Sequence, residues 1–506
     1  MSFGPLNETL LAQVKTKLET LEKSFAAGYP RMEGAGRTGV AALSHEQLDP
    51  VMRSITLEES DFLLSKDIPT VKASQSVYQY SLKTAVRGGI DLAGTEAFLP
   101  QEDHQKYMVV AEVLKVYGIR KSITQMAQFI NDAGGYNVDL EKENDLNAAL
   151  AIAENMERDL YLGGDMFIDA AGGIDSKIAS DVNGPIRNVR GIQANIREGD
   201  KSERGRPGDF IGYGNDRSVV FDFKGSVLDR TLLNRIVTAV RDSRGMIAEG
   251  HCTTAQLTEF RSTFFPVERA DLATIYAIRG PAISNDEKAR VPVDTVGGNI
   301  DFIPTVFKYK KYLPLPVGGS IGAIPATPVI ASTAASASVS GSGFQEGQVF
   351  TYRVQAVNVN GISYGSAVST HTVAAGEDDK AIELTITNQL GIEYFQVFRS
   401  QAGEASPSGK EMLIGKIIPS SGVSTIFRDK DSLIPGLDSV VFLPRDKHRP
   451  QLAVLGSLLN KLELGLRGLA SETVYASYFG LVVDRPRSYA VAENVFQTVE
   501  EPDISI

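Results

Sequence analysis

The stretch from Ser76 to Gly118 constrains this chain more than any other. Two strand-like limbs, SVYQYSLKTAV and KYMVVAEVLKVYGI, flank a tip, RGGIDLAGTEAFLPQEDHQ, whose Gly88, Gly89, Gly94 and Pro100 break regular pairing. The first limb sets Val77, Gln79 and Ser81 against Tyr78, Tyr80 and Leu82, and the second is rich in Val and Tyr. The pattern predicts one long two-stranded ribbon with an acidic tip. Such a ribbon is marginal by itself in water. Something must cover it, and a second copy of the chain is the economical candidate.

With 506 residues there is room for about three domains. The chain is 42% hydrophobic and 22% charged, which suits a soluble globular class. A net charge of -11, from 51 basic and 62 acidic side chains, argues against a sequence-independent grip on nucleic acid. It leaves open a protein that encloses nucleic acid without gripping it. Cys252 is the single cysteine, so neither an intrachain disulfide nor a cysteine-rich zinc site can form. The opening MSFGPLNETLLAQVKTKLETL lacks a basic stretch before an apolar one, so no secretory signal is expected. No apolar run of about 18 residues predicts a membrane span.

Helical spacing appears first over Asn7 to Phe25, followed by a Gly-rich stretch; this opening reads as an arm or as a helix packed on its own domain. Beyond the ribbon, Thr124 to Ala133 predicts a short helix and Asp145 to Leu162 a long one. In the latter, Leu146, Ala149, Leu150, Ala153, Met156, Leu160 and Tyr161 form the stripe, and Gly163-Gly164 the stop. Residues Ile186 to Gly208 predict basic loops around short elements. Asp229 caps a further helix with Leu232, Leu233, Ile236, Val237 and Val240 on one face, ending by Gly245. Met246 and Ile247 open a buried strand, and Thr253 with Gln256 has capping-box spacing. Ser320 to Gly343 carries no charge and has a linker composition. After it the period becomes two: Phe350, Tyr352, Val354 and Ala356; Ile382, Leu384 and Ile386; Tyr394 to Arg399; Leu413 to Ile418. With turns such as Asn360-Gly361, this predicts a small β-sandwich ending near Asp429, inserted within the α/β pattern. Leu452 to Leu469 is apolar at several registers, two buried strand runs flank Arg485-Pro486, and the end with Glu493, Glu500, Glu501 and Asp503 reads as a solvated tail.

No chemistry announces itself. His45, His104, His251, His371 and His448 lie far apart, and His104 beside Glu102 and Asp103 is most simply part of a solvated acidic loop. His251 and Cys252 are neighbours on a strand, so they point to opposite faces. There is no phosphate-binding glycine loop, dinucleotide fingerprint or nucleophile elbow. Lys308-Tyr309-Lys310-Lys311-Tyr312 suits either an exposed strand or a stacking surface for nucleic acid, the exposed strand being preferred. Arg187, Arg190, Arg197, Lys201, Arg204 and Arg206 form the most basic stretch, suited to acids such as Glu102 and Asp103 of a neighbour. The chain is therefore not expected to be an enzyme or to hold a cofactor or metal.

This order of parts resembles the major capsid proteins of tailed bacteriophages. The helix end Glu157 to Asp165, the later Gly191-Ile192, and the run from Ala470-Ser471-Glu472-Thr473 through Tyr478, Phe479 and Gly480 to Arg485-Pro486 carry the likeness. That final run is similar to the ends of capsid proteins of large phages that carry a β-sandwich before it. The resemblance implies an α+β chain of the Hong-Kong-97 type with an inserted Ig-like β-sandwich. Its segments would be an N-terminal arm, 1–71; an extended loop, 72–123; a peripheral domain with a spine helix, 124–224; an axial domain, 225–319 and 430–470; the insertion, 320–429; and a peripheral return strand and tail, 471–506. Some members of the family join neighbouring chains by a Lys–Asn link; Lys83 and Lys106 are the donors at hand, but no acceptor is identified and no link is expected.

The function so implied is self-assembly, through hexamers and pentamers, into the icosahedral head of a virion built in the host cytoplasm. The shell would enclose double-stranded DNA, with portal, scaffold or decoration proteins as partners and no membrane. Contacts between subunits would involve Tyr78, Tyr80, Gly88, Gly89, Glu102, Asp103, Arg187 and Arg190. The alternatives are a bacterial nanocompartment shell, a secreted carbohydrate-active enzyme with a sandwich module, and a surface adhesin.

Overall fold

The computed structural model describes residues 64, 68–85, 106–127, 129, 140–169, 172–174, 188–198, 219–242, 245–260, 291–305, 307, 324–340, 342–402, 409–444, 449–467, 470–483 and 485–497. The chain divides into two compact units, residues 1–53 with 123–140 and residues 54–122 with 141–506. In the first, the Ala127 N–H donates to Thr124 Oγ1 at 3.3 Å, starting a helical turn. The second unit is built chiefly of β-sheet. The expected N-terminal helix and the Lys308 to Tyr312 run lie outside the described residues.

A five-stranded sheet is built from β1 (Thr70–Ala73), β4 (Lys115–Thr124), β18 (Gln451–Leu455), β19 (Asn460–Arg467) and β20 (Ala470–Val482). A six-stranded sheet has the order β5 (Val219–Asp222), β21 (Ala490–Val495), β17 (Asp438–Leu443), β6 (Glu249–Cys252), β8 (Gly298–Pro304), β7 (Val291–Thr295). Between these sheets lie α1 (Leu140–Leu162) and α2 (Ile192–Glu198). Met156, Leu160, Tyr161, Ile192 and Ile196 share one core with Val441 and Val491 of the six-stranded sheet and Leu452, Phe479 and Leu481 of the five-stranded one. The other face of the six-stranded sheet takes α3 (Arg230–Asp242) through Leu233, Ile236, Val237 and Val240. Covered on both sides, the central strands β17 and β21 are buried at every position.

Local signals are obeyed closely. Asp229 Oδ1 accepts the Leu232 N–H at 2.7 Å and starts α3. The Thr253 N–H donates to Gln256 Oε1 at 3.1 Å and the Gln256 N–H to Thr253 Oγ1 at 3.2 Å, a reciprocal cap for the helical residues 254–260. After α1, Gly164 takes φ 67°, the left-handed region that favours glycine. Gly163 and Gly191 let two backbones touch: the Gly191 N–H donates to Gly163 O at 2.7 Å, and a Cβ on Gly163 would lie 2.1 Å from Val189 O.

Residues 330–429 form a separate layered body. One sheet has β11 (Gly361–Ile362), β10 (Val349–Asn358), β14 (Tyr394–Arg399) and β15 (Met412–Ile417), with β12 (Ser369–Thr372) also on β10. The other has β16 (Ser424–Asp429), β13 (Lys380–Thr387) and β9 (Ile330–Ser340). Val354, Ala356, Ile382, Leu384, Ile386, Phe395, Val397 and Phe427 fill the space between them. In this core Arg399, 1% exposed, lies 5.1 Å from the ring centres of Phe344 and Phe350, and is paired with Asp429 at 2.6 Å and with Asp431. Main-chain bonds key the body to the stretch after α1: Ile168 N–H to Lys416 O at 2.8 Å and Lys416 N–H to Met166 O at 2.7 Å.

Four expectations are corrected. The uncharged linker contains β9, because pairing with the β13 edge overrides the weak strand propensity of its Ala-rich sequence. The ribbon ends at Val113; after Leu114 the chain joins the five-stranded sheet as β4. Leu146 is 55% exposed, since the buried line runs through Ala148, Ile152, Met156 and Leu160, and Leu146 lies off it. Glu493 is buried inside β21, not part of a solvated tail. β18 and β19 pair with β20, and β21 sits in the six-stranded sheet beside β17.

Candidate assembly surfaces

The ribbon survives as a pair of its own. β2 (Val77–Ala85) and β3 (Lys106–Val113) run antiparallel with Tyr80 opposite Val110 and Ser81 opposite Val109, and they pair with no other strand among the described residues. Its root is anchored at home. Tyr78 and Tyr80 stack at 6.1 Å and pack on Ala73, Leu114, Ala453 and Val482, and the Tyr80 hydroxyl donates to Val483 O at 3.4 Å. The opposite face, with Gln79, Ser81, Ala111 and Val109 at 63% exposure, is open. Of the expected contact residues, Tyr78 and Tyr80 thus pack on their own chain, while Gly88, Gly89, Glu102, Asp103 and Arg187 lie outside the described residues, as does His104.

The five-stranded sheet is covered unevenly. Tyr117, Ile119 and Tyr475 face α1 and pack on Ala148 and Ile152. Their alternating neighbours belong to the other face, where, among the described residues, the ribbon root covers the Ala453 and Val482 end. The remainder presents exposed Val116, with Leu462 at 61% exposure opposite Val474. Among the described residues β19 ends the sheet on one side, and Leu464 stands exposed there at a register shift.

The two described arginines of the basic stretch turn inward. Arg190 is buried, and Arg197 of α2 pairs with Asp165 at 2.7 Å and with Glu493 of β21, all within one chain. These two arginines are not exposed for a neighbour's acids. Sequence could not reveal it, because the partners lie about 30 and 300 positions away from Arg197.

Two further polar groups bind elements together. Where α1 meets β6, the Leu64 N–H donates to Glu157 Oε1 at 2.7 Å, Tyr161 OH and His251 Nδ1 lie 2.8 Å apart, and Arg449 reaches both Glu249 oxygens at 2.7 and 2.6 Å. Burial alone would raise the Glu249 carboxyl; bonding from His251 and the Arg449 guanidinium override it and hold it down to about 2. The crevice beside it, lined by Leu64, Ile68, Leu443 and Pro450 with these polar groups, has the space of about one water molecule. Beneath the sandwich, Asp159 accepts from Tyr117 OH and from Asn188 Nδ2 at 3.2 Å; burial pushes its carboxyl up. Lys416 Nζ lies 5.6 Å from the Phe167 ring centre and 6.0 Å from that of Tyr394, and burial pushes its ammonium down. Both groups sit at joints. Among the described residues no three His, Cys, Asp or Glu side chains come together to hold a metal, and no helix is long and apolar enough to cross a membrane. Cys252 is buried and His251 turns to Tyr161, so they form no thiol–imidazole pair.

No family model and no curated protein matches the chain. Solved structures that do match include phage capsids. The capsid of Ralstonia phage GP4 is 10% identical, covering 94% of this chain and 99% of that one, with a TM-score of 0.42. The capsid of Myoviridae Phage XM1 is 8% identical, covering 92% and 100%, with a TM-score of 0.41. The holo-SrpI encapsulin complex from Synechococcus elongatus PCC 7942 is 10% identical, covering 92% and 100%, with a TM-score of 0.35.

Proposed function

We propose that this chain is a structural shell protein, the major capsid protein of a tailed phage. It would assemble through hexamers and pentamers into an icosahedral head that encloses double-stranded DNA in the virion. The observation that carries the reading is the ribbon: a two-stranded sheet rooted on its own body by Tyr78 and Tyr80, with its other face bare. A tile uses such an extension to lie on its neighbour. The bare part of the five-stranded sheet, with Val116 and Leu462, supplies an apolar counterpart on a neighbouring copy. Many weak repeats of one contact close a strong shell. A net charge of -11 keeps an inner wall from trapping packed DNA.

The finer reading is the Hong-Kong-97-type arrangement, with α1 as the spine helix, the 330–429 body as an Ig-like insertion, and assembly in the host cytoplasm with portal, scaffold or decoration proteins. Negative-stain microscopy with sedimentation of the purified full chain tests the core of it. Closed particles or capsomers are expected, and a monomer at every salt concentration rejects it. Deleting residues 88–101 should abolish closure while the subunit stays folded. Nucleic acid inside particles isolated from infected cells separates a phage head from a nanocompartment filled with protein cargo.

A further inference from the structure

We propose that one end of the 330–429 sandwich is a contact surface for the same end of a second copy of this chain, an inference that rests on the shell reading. Strand registers define that end. Ile386 lies opposite Ile330, Thr387 opposite Ser424, Val357 opposite Tyr394 and Phe395 opposite Ile417. The segment entering β9, the β10–β11 turn, the β13–β14 connection and the β15–β16 loop therefore converge there. Each presents one exposed aliphatic side chain: Val329, Val359, a fully exposed Leu390, and Val423 at 85%. Four independent loops giving the same result is a pattern, not a stray apolar residue.

The end is built to be buried. Asn388 organises it: its N–H donates to Val423 O at 2.9 Å, and its Nδ2 donates to Ser420 O at 2.9 Å and Gly422 O at 2.7 Å. Thr387 N–H to Val329 O at 3.0 Å and Gln389 Nε2 to Thr327 O at 3.0 Å tie in the entering segment. Asn358 Oδ1 accepts the Asn360 and Gly361 N–H groups at 2.8 and 3.1 Å in the β10–β11 turn. These loop groups bond among themselves, with Gln389 Oε1 a buried atom among the described residues left without a partner.

Charge identifies the occupant. The four loops carry a single charged residue, Glu393, and it is half-buried. The opposite end of the sandwich carries exposed Glu346, Asp378 and Asp379 with half-buried Glu377. In a chain of net charge -11, copies repel over most of their surface. Two uncharged aliphatic ends meet without that repulsion; two acidic ends do not. The four side chains are Val and Leu, without the aromatic platform on which a glycan would stack. A patch that lies on its own copy across a two-fold axis needs only to be complementary to itself.

The single cysteine makes the test clean, because Cys252 is buried. L390C in the full chain should give chain-to-chain dimers when purified particles are treated with copper phenanthroline, at least tenfold more than D378C at the acidic end. V423D added to L390C should lower that yield by a similar factor. Particles seen by microscopy with L390C no more dimeric than D378C overturn the contact and leave the shell reading standing. Absence of any particle overturns both. Flotation of the particles with phosphatidylcholine vesicles, lost in V423D and accompanied by no L390C dimers, overturns it in favour of a lipid surface.

Discussion

The sandwich and the body around it hold together in opposite ways. Within 330–429 every strand pairs with another strand of the same stretch. In the body, Val219 pairs with Ala490, Thr70 with Leu452 and His251 with Val441. Loop-closure entropy must be met before such distant pairs stabilise anything. The sandwich therefore has the makings of a local folding unit, whereas the body needs both ends of the chain. Their buried ions differ in the same sense. Arg399 meets Asp429 and Asp431, 30 and 32 positions away, while Arg197 and Glu249 reach across the body, 296 positions to Glu493 and 200 to Arg449.

The sharpest way to break this comparison is Arg399→Met. It leaves two carboxylates facing an apolar core and should cost the sandwich about 3–5 kcal/mol. Calorimetry should show one transition moving down and another staying; both moving together would mean the two regions fold as one. Gly163→Ala forces a Cβ against Val189 O and Asp159 O and should destabilise the body by about 3 kcal/mol, with the sandwich transition unmoved. A neutral result there would remove the close approach of Gly163 and Gly191 from the account.

Acid should act on the body. A Glu249 carboxyl held at about 2, against an ordinary 4.5, stabilises the fold fully above 4.5 and loses that contribution as pH falls toward 2. Unfolding free energies from urea titrations at pH 7 and pH 3 should differ by up to about 2 kcal/mol through this group, and E249Q should flatten the difference. Asp229→Ala removes the α3 cap and should cost about 1 kcal/mol by chemical denaturation. Leu146→Ser, at an exposed position, should change stability by less than about 0.5 kcal/mol; a larger loss from the isolated subunit would place Leu146 in a core after all.

What could be read in advance was local. The Asp229 cap, the Thr253–Gln256 box, the Gly163-Gly164 stop and the period-two strands after residue 349 are each set by neighbours within a few positions, and each is where the pattern put it; the ribbon's first limb is too, but its return limb stops early, at Val113. What could not be read was anything decided by a distant partner. β9 has a tether's composition and became a strand because β13 lay beside it. Arg190 and Arg197 have a surface loop's composition and are buried, the latter between Asp165 and Glu493. The aliphatic end of the sandwich is invisible in sequence, because four loops scattered over about a hundred residues meet only after folding.

The sequence by itself determined helix starts and stops, strand periods and the acidic balance, since those depend on short-range sterics, capping bonds and summed charge. The tertiary structure alone decided which charges are internal, which segments share a sheet and which apolar side chains are left facing out. Burial and pairing belong to positions in space, and chain order does not encode them one residue at a time.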